Sequence, residues 1–402
     1  MGTGAQRADA QGRDLGLGAN AVAGAGMNLN ASLSVDQGAL VDERRYARQI
    51  ALPEVGVAGQ RRLAGARVLV VGAGGLGSVS ATYLAAAGVG VVGIIDDDVV
   101  EESNLHRQVI HDSTHLGMAK VDSAAHRLRA VNPRVRVETH RMRLSAENAV
   151  DLVARYDVVV DGADNFATRY VVADATVLTG RPQVWGSILR FAGQVSVWSP
   201  PAGPCYRCVF PQPPPPDSVA SCAEAGVLGS LCAAIGAAQS TEALKLLLGV
   251  GEPLIGRLQL HDALRAEWDT IPVRRNPACP LCGEAPSITA PRDEGGGAVR
   301  GRLSADALAQ LLADDPDVVL IDIRQPDEWA SGVIPGARLV PLAQLSTLRI
   351  EPGRRVVAYC ASGGRSVAAV AALRDAGYAQ VTDLAGGVEA WRTAYGLVNP
   401  AG

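Results

Sequence analysis

Short runs of apolar, largely β-branched residues recur along the chain and alternate with segments of helical character. A run that is apolar at every position is typical of a strand buried on both faces of a parallel sheet. Strands are predicted at Val68–Val71, Val89–Ile95, Val135–Glu138, Val158–Asp161, Val318–Ile321, Val356–Tyr359 and Val381–Leu384. Helices are predicted at Ser78–Ala87, Lys120–Ala130, Gly226–Leu248 and from Ser366 onward. This alternation predicts an α/β fold built on parallel sheets.

Changes in composition divide the chain into segments. The first forty residues are rich in Gly, Ala and Asn and lack the compact apolar stretch of a secretory signal, so a disordered tail is predicted at 1–40. Glu284–Gly301 has the Pro, Gly and mixed charge of a linker. We therefore predict one domain at 41–285, a linker at 286–300 and a second domain at 301–398. The Pro-rich segment Pro211–Pro216 is predicted to form a mobile crossing loop within the first domain.

A glycine-rich turn follows the first predicted strand. Gly72, Gly74 and Gly77 have G-x-G-x-x-G spacing and open an Ala-rich helix. Such glycines allow phosphate oxygens to approach backbone N–H groups at a positively polarised helix start. Asp96 ends the next predicted strand, at a suitable distance to bind a ribose hydroxyl. The pattern predicts a βαβ nucleotide site, for which a dehydrogenase is the commonest interpretation.

Composition and charge exclude several functional classes. The chain has 402 residues, of which 48% are hydrophobic and 19% charged, as in globular domains. Its net charge of −4 gives no electrostatic reason to bind nucleic acid or an anionic membrane surface. No apolar run approaches the ~18 residues of a membrane span. Seven cysteines, four of them in two C-x-x-C pairs, favour metal and thiol chemistry in a reducing cytosol over disulfides. A cytoplasmic location is therefore expected.

The two C-x-x-C pairs are candidate metal ligands. Cys205 and Cys208 form the first pair, and Cys279 and Cys282 form the second. Four thiolates suit a tetrahedral Zn²⁺ site without an open position, which is a structural site. The alternative is two unrelated or redox-active dithiols. Redox pairs open helices, whereas neighbouring prolines place these pairs in loops, so structural zinc is favoured.

Polar residues near the glycine-rich turn decide between a dinucleotide and a triphosphate. Asp164 and Asn165 follow a strand end, where the carboxylate either binds Mg²⁺ or belongs to an Asx turn or helix cap. Several cations flank the same turn, namely Arg48, Arg107 and Lys120. A dehydrogenase needs neither these cations nor Mg²⁺, whereas transfer at the α-phosphate of a nucleoside triphosphate uses both. The absence of G-x-x-x-x-G-K followed by Ser or Thr excludes a P-loop ATPase.

An ordered set of motifs resembles the MoeB/ThiF adenylyltransferases, bacterial relatives of ubiquitin-activating enzymes. The motifs are R-x-x-R-Q-I from Arg45, GAGGLGS, IIDDDVVEESNLHRQ, GMAK, DGADN, CYRC, SCAEAGV and NPACPLCG. They cover roughly residues 41–285. The resemblance implies a Rossmann-like adenylation domain, ATP, Mg²⁺ and Zn²⁺ as cofactors, and a homodimer in which Arg48 reaches the partner subunit's ATP site.

The same resemblance assigns roles to individual residues. It implies that Asp164 binds Mg²⁺ and takes part in catalysis, and that zinc is bound by Cys205, Cys208, Cys279 and Cys282. It implies ATP contacts from Gly75, Asp96, Ser103, Asn104, Leu105, His106, Arg107, Lys120, Asp164 and Asn165.

The second domain contains one cysteine in a loop between a strand and a helix. In Cys360-Ala-Ser-Gly-Gly-Arg-Ser366, a thiol at a helix N-terminus has a lowered pKa and can carry an anionic sulfur, with Arg365 as a neighbouring cation. From the residues alone, a small buried Cys is the favoured interpretation. Yet Asp322-Ile-Arg-Gln-Pro, Ile334-Pro-Gly-Ala and Gly386-Gly-Val-Glu-Ala-Trp391 surround it as in rhodanese sulfurtransferases. The chain departs from that family at Val333, where His is usual. The Cys360-x₄-Arg365 spacing favours sulfur over the phosphate of C-x₅-R phosphatases.

Two further cysteines lie between these motifs. Cys232 sits in an apolar helix and is expected in the core. Cys222 follows the Pro-rich loop, and in two-domain relatives the matching cysteine engages the carrier's C-terminus as a thioester, persulfide or mixed disulfide. A spare surface thiol is the alternative.

The complete arrangement resembles the MoeZ-like fusions of an adenylyltransferase with a rhodanese domain. The resemblance implies adenylation of the Gly-Gly terminus of a ubiquitin-like sulfur carrier of MoaD, ThiS or CysO type, then sulfur transfer from a Cys360 persulfide to give a thiocarboxylate. Thiosulfate or a cysteine desulfurase is the expected sulfur donor, and molybdopterin biosynthesis is one of several candidate pathways. Two alternatives remain: an NAD-dependent oxidoreductase, and a non-catalytic docking scaffold stapled by zinc.

Overall fold

The computed structural model describes residues 41–214, 226–292, 302–351, 353–361 and 363–399. These residues form two α/β units, each with its own sheet. The predicted disordered tail at 1–40, most of the predicted linker at 286–300, part of the Pro-rich crossing loop and Cys222 lie outside the described residues.

The first unit contains an eight-stranded sheet. Its helices and strands are α1 (Ala47–Ile50), α2 (Gly56–Gly65), β1 (Arg67–Val71), α3 (Gly75–Ala87), β2 (Val91–Ile95), α4 (Lys120–Val131), β3 (Arg136–His140), α5 (Ala149–Val153), β4 (Val158–Asp161), α6 (Phe166–Thr179), β5 (Gln183–Leu189), β6 (Ala192–Trp198), α7 (Tyr206–Val209), α8 (Gly229–Leu248), β7 (Arg257–Asp262) and β8 (Glu267–Pro272). The strand order is β3-β2-β1-β4-β5-β6-β7-β8. The chain reverses its order at β1 and β4, which opens a crevice at the carboxyl ends of these strands.

The turn between β1 and α3 requires glycine at two positions. Gly72 has φ of +86°, in the left-handed region that residues with a Cβ rarely adopt. At Gly77, a Cβ would lie 1.8 Å from the carbonyl oxygen of Gly72. The helix can therefore start directly behind the strand only because both side chains are absent.

The far half of the first sheet differs from the predicted alternation. Strands β5 to β8 pair in antiparallel fashion, and β7 and β8 form a hairpin that the apolar pattern does not reveal. Every residue of β8 is exposed, so no buried face marks that strand in the sequence. The predicted build from parallel sheets is therefore wrong for this half of the first sheet.

The long helix α8 confirms the helix predicted at Gly226–Leu248, although it begins at Gly229. Buried apolar residues of α8, such as Ile235 and Leu246, join the same core as strands β1 and β4. By length and composition alone, this helix is the one candidate membrane span among the described residues, and 61% of its most apolar window is buried. Its packing is that of a core helix.

The second unit has a four-stranded, fully parallel sheet. Its elements are α9 (Ala305–Asp314), β9 (Val319–Asp322), α10 (Pro326–Trp329), β10 (Arg338–Leu339), β11 (Val356–Tyr359), α11 (Gly364–Asp375), β12 (Val381–Asp383) and α12 (Gly387–Tyr395). The order is β10-β9-β11-β12. Two apolar clusters cover the opposite faces of β11, and Cys360 follows its carboxyl end.

Candidate functional site

A cavity of about 360 Å³ lies at the carboxyl ends of β1, β2 and β4. Seven residues predicted to bind nucleotide line it: Gly75, Asp96, Asn104, Arg107, Lys120, Asp164 and Asn165. Ser103, Leu105 and His106 belong to the adjoining turn and do not line the cavity. Arg48 is exposed on α1 and does not line the cavity of its own chain. Its contact with the ATP site of a partner subunit stays a prediction.

Asp96 ties two loops of the cavity together. Its carboxylate accepts hydrogen bonds from the backbone N–H of Ala73, at 2.8 Å, and of Asp98, at 2.9 Å. Burial raises the pKa of Asp96, while nearby Lys120 and these two hydrogen bonds lower it. The side chain therefore fixes the glycine-rich turn as well as facing the nucleotide cavity.

The predicted cations are held by local partners. Lys120 Nζ lies 2.7 Å from Asp98 Oδ2, and the Lys120 side chain is only 7% exposed while Asp98 is 67% exposed. Arg107 Nη1 donates to the Ser103 carbonyl oxygen at 3.0 Å. Lys120 therefore presents a buried ammonium to the cavity, paired with a carboxylate that remains largely in water.

The residues of the DGADN motif divide between two roles. Asn165 is the N-cap of α6 and accepts from the backbone N–H of Thr168 at 2.9 Å, so the helix-cap alternative applies to Asn165. Asp164 is exposed and lines the cavity. Only Asp164 therefore has a carboxylate available for a cation at this strand end.

Two buried charged residues that hold the backbone of the DGADN turn were not predicted from the sequence. Asp161 is fully buried and accepts from the Ala163 N–H at 3.0 Å and from Gln183 Nε2 at 2.8 Å. Arg169 is buried, lines the cavity and donates to the Ala163 carbonyl oxygen at 3.1 Å. Asp161 and Arg169 are the first and last residues of the segment DGADNFATR. Their charges, at the two ends of a recognised motif, are the signal that could have identified them.

His111 supports the glycine-rich turn in a similar way. Its Nε2 lies 3.0 Å from the Ala73 carbonyl oxygen and its Nδ1 lies 2.9 Å from Ser123 Oγ. Burial lowers the pKa of His111. Because a carbonyl only accepts, Nε2 carries the proton of a neutral imidazole, and Nδ1 accepts from the Ser123 hydroxyl.

The four cysteines of the two C-x-x-C pairs converge on one point. Their sulfurs lie 3.3 to 3.7 Å apart in the four contacts Cys205–Cys208, Cys205–Cys279, Cys208–Cys282 and Cys205–Cys282. A tetrahedron with metal–sulfur bonds of ~2.3 Å needs sulfurs about 3.8 Å apart. The hydrogen bond from Cys205 lowers the pKa of Cys208 well below its usual range. The four thiols therefore fit a structural zinc ion.

The predicted loop position of the first cysteine pair is wrong. Cys205 is the N-cap of α7, and Cys208 lies within this short helix. Proline at position 204 does not prevent this, since helices tolerate proline just before their first turn. The convergence of all four sulfurs, not their loop position, supports zinc over a redox dithiol.

Cys360 lies between β11 and the start of α11, and it is buried. The backbone N–H of Gly363 donates to Cys360 Sγ at 3.2 Å. The predicted neighbouring cation has an unexpected partner: Arg365 pairs with both carboxylate oxygens of Glu328, at 2.7 and 2.6 Å. The loop therefore offers the Gly363 N–H to the sulfur, with a cation whose charge is balanced by a carboxylate.

Residues 46–281 match the ThiF family, and residues 304–394 match the rhodanese-like domain. The first match alone spans more than half of the chain. This chain belongs to the ThiF family. The predicted resemblance and the predicted α/β architecture, with a Rossmann-like first domain and a rhodanese second domain, are both confirmed.

Relatives of this ThiF-family protein contain both domains. The probable adenylyltransferase/sulfurtransferase MoeZ of Mycobacterium tuberculosis is 46% identical over 360 residues, which cover 86% of this chain and 92% of that protein. The adenylyltransferase and sulfurtransferase MOCS3 of Bos taurus is 43% identical, with coverage of 87% and 85%. The sulfur carrier protein adenylyltransferase of Thermus thermophilus is 55% identical over 248 residues, which are 60% of this chain and 92% of that protein.

A likeness to solved structures adds the fold. The crystal structure of E. coli MccB with MccA-N7isoASN has a TM-score of 0.54 and 21% identity, and covers 60% of this chain and 75% of that chain. The ThiF-family chain is an enzyme, an adenylyltransferase joined to a sulfurtransferase. The alternatives of an NAD-dependent oxidoreductase and of a non-catalytic scaffold are not supported.

Asp161 is expected to make the stability of the ThiF domain depend on pH. Burial raises the pKa of Asp161 from 3.8 to about 6. The folded state thus binds a proton more tightly than the unfolded state, and the contribution of Asp161 to stability falls as pH rises from about 4 to about 6. In Asp161→Asn, the amide can still accept from Ala163 and can donate to Gln183 Oε1, which has no partner among the described residues.

The measurement is the free energy of unfolding of both proteins between pH 4 and pH 7. We expect the stability of wild type relative to Asp161→Asn to decline across this window. An unchanged difference at every pH would contradict the assignment of a raised pKa to Asp161.

Zinc at one ion per chain is predicted, with a direct effect on folding. Closed four-thiolate sites contribute to folding free energy, so Cys279→Ser should lower the unfolding temperature rather than slow catalysis selectively. Metal analysis of protein purified without chelators tests the stoichiometry. Cys232→Ser, at a buried thiol outside the cluster, is the control and should retain the metal. Protein without bound metal would overturn the zinc assignment.

Proposed function

We propose that this enzyme adenylates the C-terminal Gly-Gly carboxylate of a ubiquitin-like sulfur carrier and then converts it to a thiocarboxylate with sulfur from Cys360. One observation carries the proposal: the chain combines a cavity lined by cations and a carboxylate with a cysteine whose sulfur receives a backbone N–H. The first site suits attack on a triphosphate and the second suits an anionic sulfur. Relatives named for both activities support the combination.

In the first half-reaction, a carboxylate oxygen of the carrier attacks the α-phosphorus of ATP, and pyrophosphate leaves. Arg107 and Lys120, which line the cavity, would stabilise the negative charge that develops on the phosphates. Arg48 would act from the partner subunit of a homodimer. Asp164 would hold Mg²⁺, which would neutralise the departing pyrophosphate.

The remaining cavity residues would bind the nucleotide itself. Gly75 lies at the start of α3, where N–H groups would face phosphate oxygens. Asp96 would accept from a ribose hydroxyl, and Asn104 and Asn165 would complete the pocket. Ser103, Leu105 and His106 would act from the turn beside it.

In the second half-reaction, the terminal sulfur of a Cys360 persulfide attacks the acyl carbon, and AMP leaves. This step produces an acyl disulfide that joins the carrier to Cys360. Attack by a second thiolate on the Cys360 sulfur releases the carrier as a thiocarboxylate and leaves a protein disulfide. We assign the second thiol to Cys222, and a two-electron thiol reductant must then restore both cysteines.

The domain extents, location and donor belong to the same proposal. The adenylation domain would span 41–285 and the rhodanese domain 301–398. A cytoplasmic location suits six described cysteines that are all free thiols. Thiosulfate or the persulfide of a cysteine desulfurase would load Cys360.

The experiment is to incubate the enzyme with ATP, Mg²⁺, a sulfur donor and each candidate carrier, and then to determine the mass of each carrier. We expect an oxygen-to-sulfur exchange at the terminus of one carrier, dependent on ATP. Adenylated carrier should accumulate when the donor is omitted. Carriers of unchanged mass in every combination, or a nicotinamide nucleotide bound to the purified enzyme, would overturn the proposal.

A further inference from the structure

The contact that positions the sulfur of Cys360 comes from a residue with an unusual backbone conformation. The N–H of Gly363 donates to Cys360 Sγ at 3.2 Å, and Gly363 has φ of +92°. A glycine in the left-handed region has many accessible conformations, so its orientation needs support from outside the loop. The neighbouring side chains show where that support comes from.

Arg302 holds Gly363 from the other side. Its Nη2 donates to the Gly363 carbonyl oxygen at 2.8 Å. The same guanidinium binds both carboxylate oxygens of Asp383, with Nε–Oδ1 and Nη2–Oδ2 distances of 2.9 and 2.7 Å. Asp383 is fully buried, so the guanidinium is fixed by a desolvated, bidentate ion pair.

The ion pair extends to the helix that begins behind Cys360. Ser366 Oγ donates to Asp383 Oδ2 at 2.6 Å and lies 3.9 Å from Cys360 Sγ. Asp383 therefore links Arg302 on one side with the first turn of α11 on the other. Arg302, Asp383 and Ser366 form a continuous hydrogen-bonded support for the loop, which we call the loop clamp.

Arg302 has a second anchor at the same position. The next residue, Leu303, accepts from the Ala385 N–H at 2.8 Å and donates to the Asp383 carbonyl oxygen at 2.9 Å. The backbone that carries Arg302 is thereby fixed beside β12. The guanidinium therefore extends from a backbone position that cannot shift along the loop without breaking these bonds.

We propose that Arg302 is a positioning residue for sulfur transfer, which orients the Gly363 N–H toward the anionic sulfur of Cys360 through the loop clamp. The inference rests on the proposed function of Cys360 as the sulfur carrier. When the persulfide forms, the charge on the outer sulfur needs N–H donors already in place, because reorienting them during the reaction adds to the barrier. Arg302 itself contacts no substrate and acts through Gly363.

The test uses a variant that keeps the fold while removing the clamp. Arg302→Met alone would leave the buried carboxylate of Asp383 without its cation, which is strongly destabilising. The double variant Arg302→Met with Asp383→Asn removes both charges. Arg354→Met, which breaks a surface ion pair with Asp317, is the matched control for loss of an arginine.

Transfer of sulfur from thiosulfate to cyanide isolates the rhodanese loop, because it needs neither ATP nor a carrier. For the double variant we expect kcat to fall about tenfold or more, as for loss of one oriented hydrogen-bond donor, with KM for thiosulfate within about threefold of wild type. Alkylation of Cys360 by neutral iodoacetamide should slow as well. The control Arg354→Met should match wild type in its rate of pyrophosphate exchange and in its unfolding temperature.

A merely structural role gives a different result. If the double variant retains the wild-type kcat, or if KM rises while kcat is unchanged, Arg302 is not a positioning residue. If the double variant fails to fold, Arg302→Lys decides, since Lys keeps the charge beside Asp383 but cannot span Gly363 and both carboxylate oxygens. A kcat of Arg302→Lys equal to that of wild type would overturn the inference. Failure of the proposed function is separate: wild type would then transfer sulfur to cyanide but form no thiocarboxylate.

Discussion

Replacement of Cys360 with Ala is expected to abolish thiocarboxylate formation while carrier-dependent ATP–pyrophosphate exchange stays near the wild-type rate. The reason is that the two half-reactions use different units of the chain. All residues proposed for adenylation lie within 41–285, whereas Cys360 and the Gly363 N–H that faces its sulfur lie in the second unit. Loss of the attacking sulfur removes the step rather than slowing it. The mass of the carrier after incubation with ATP and donor is the measurement.

Cys222→Ala provides the comparison for that experiment. This variant should still load a persulfide on Cys360 but should impair release of the carrier, so the acyl disulfide should accumulate. Thiocarboxylate formed at the wild-type rate by Cys360→Ala would show that the second domain takes no part in the reaction.

Asp164→Ala is expected to abolish carrier-dependent pyrophosphate exchange without loss of the fold. Asp164 is exposed at the strand end that faces the glycine-rich turn, and within the described part of the chain its side chain accepts one long hydrogen bond, from Asn165 Nδ2 at 3.4 Å. The side chain therefore contributes little to stability, whereas loss of a proposed Mg²⁺ ligand should lower the exchange rate by ~10²-fold or more.

The control is Asp151→Ala, which removes an exposed carboxylate of α5 that does not line the cavity. Its exchange rate and unfolding temperature should equal those of wild type. Exchange by Asp164→Ala within about threefold of wild type would remove Asp164 from the mechanism.

Much of the fold follows from local pattern, and the missed part has a physical cause. Val158–Asp161 and Val356–Tyr359 were predicted with the bounds that the structure shows, because strands covered on both faces are apolar at every position. Glu267–Pro272 has no buried residue, so no apolar face marks it in the sequence, and its pairing with β7 rests on backbone hydrogen bonds and on the stacking of Trp268 against His261. Hydrophobic periodicity contains no information about such an edge strand.

The candidate sites show the same division. Seven predicted nucleotide-binding residues meet in one cavity because parallel strands bring their carboxyl ends to one edge. The partners of the rhodanese loop were not predicted: Glu328 is 37 residues from Arg365, and Asp383 is 81 residues from Arg302. Pairing over such separations depends on tertiary packing, and one sequence does not show which charges meet.

The four-cysteine cluster has a consequence for the integrity of the chain. Cys205 and Cys279 are 74 positions apart, and α8 and the β7–β8 hairpin lie between them. A metal bound by all four sulfurs would close this segment into a ring and restrict the unfolded chain. On the scale for covalent cross-links, the lost chain entropy corresponds to about 4 kcal/mol of folding free energy. A protease that cut the chain once within the ring would then yield two fragments joined by the metal as well as by core packing and the pairing of β6 with β7, and a chelator would remove the metal link alone.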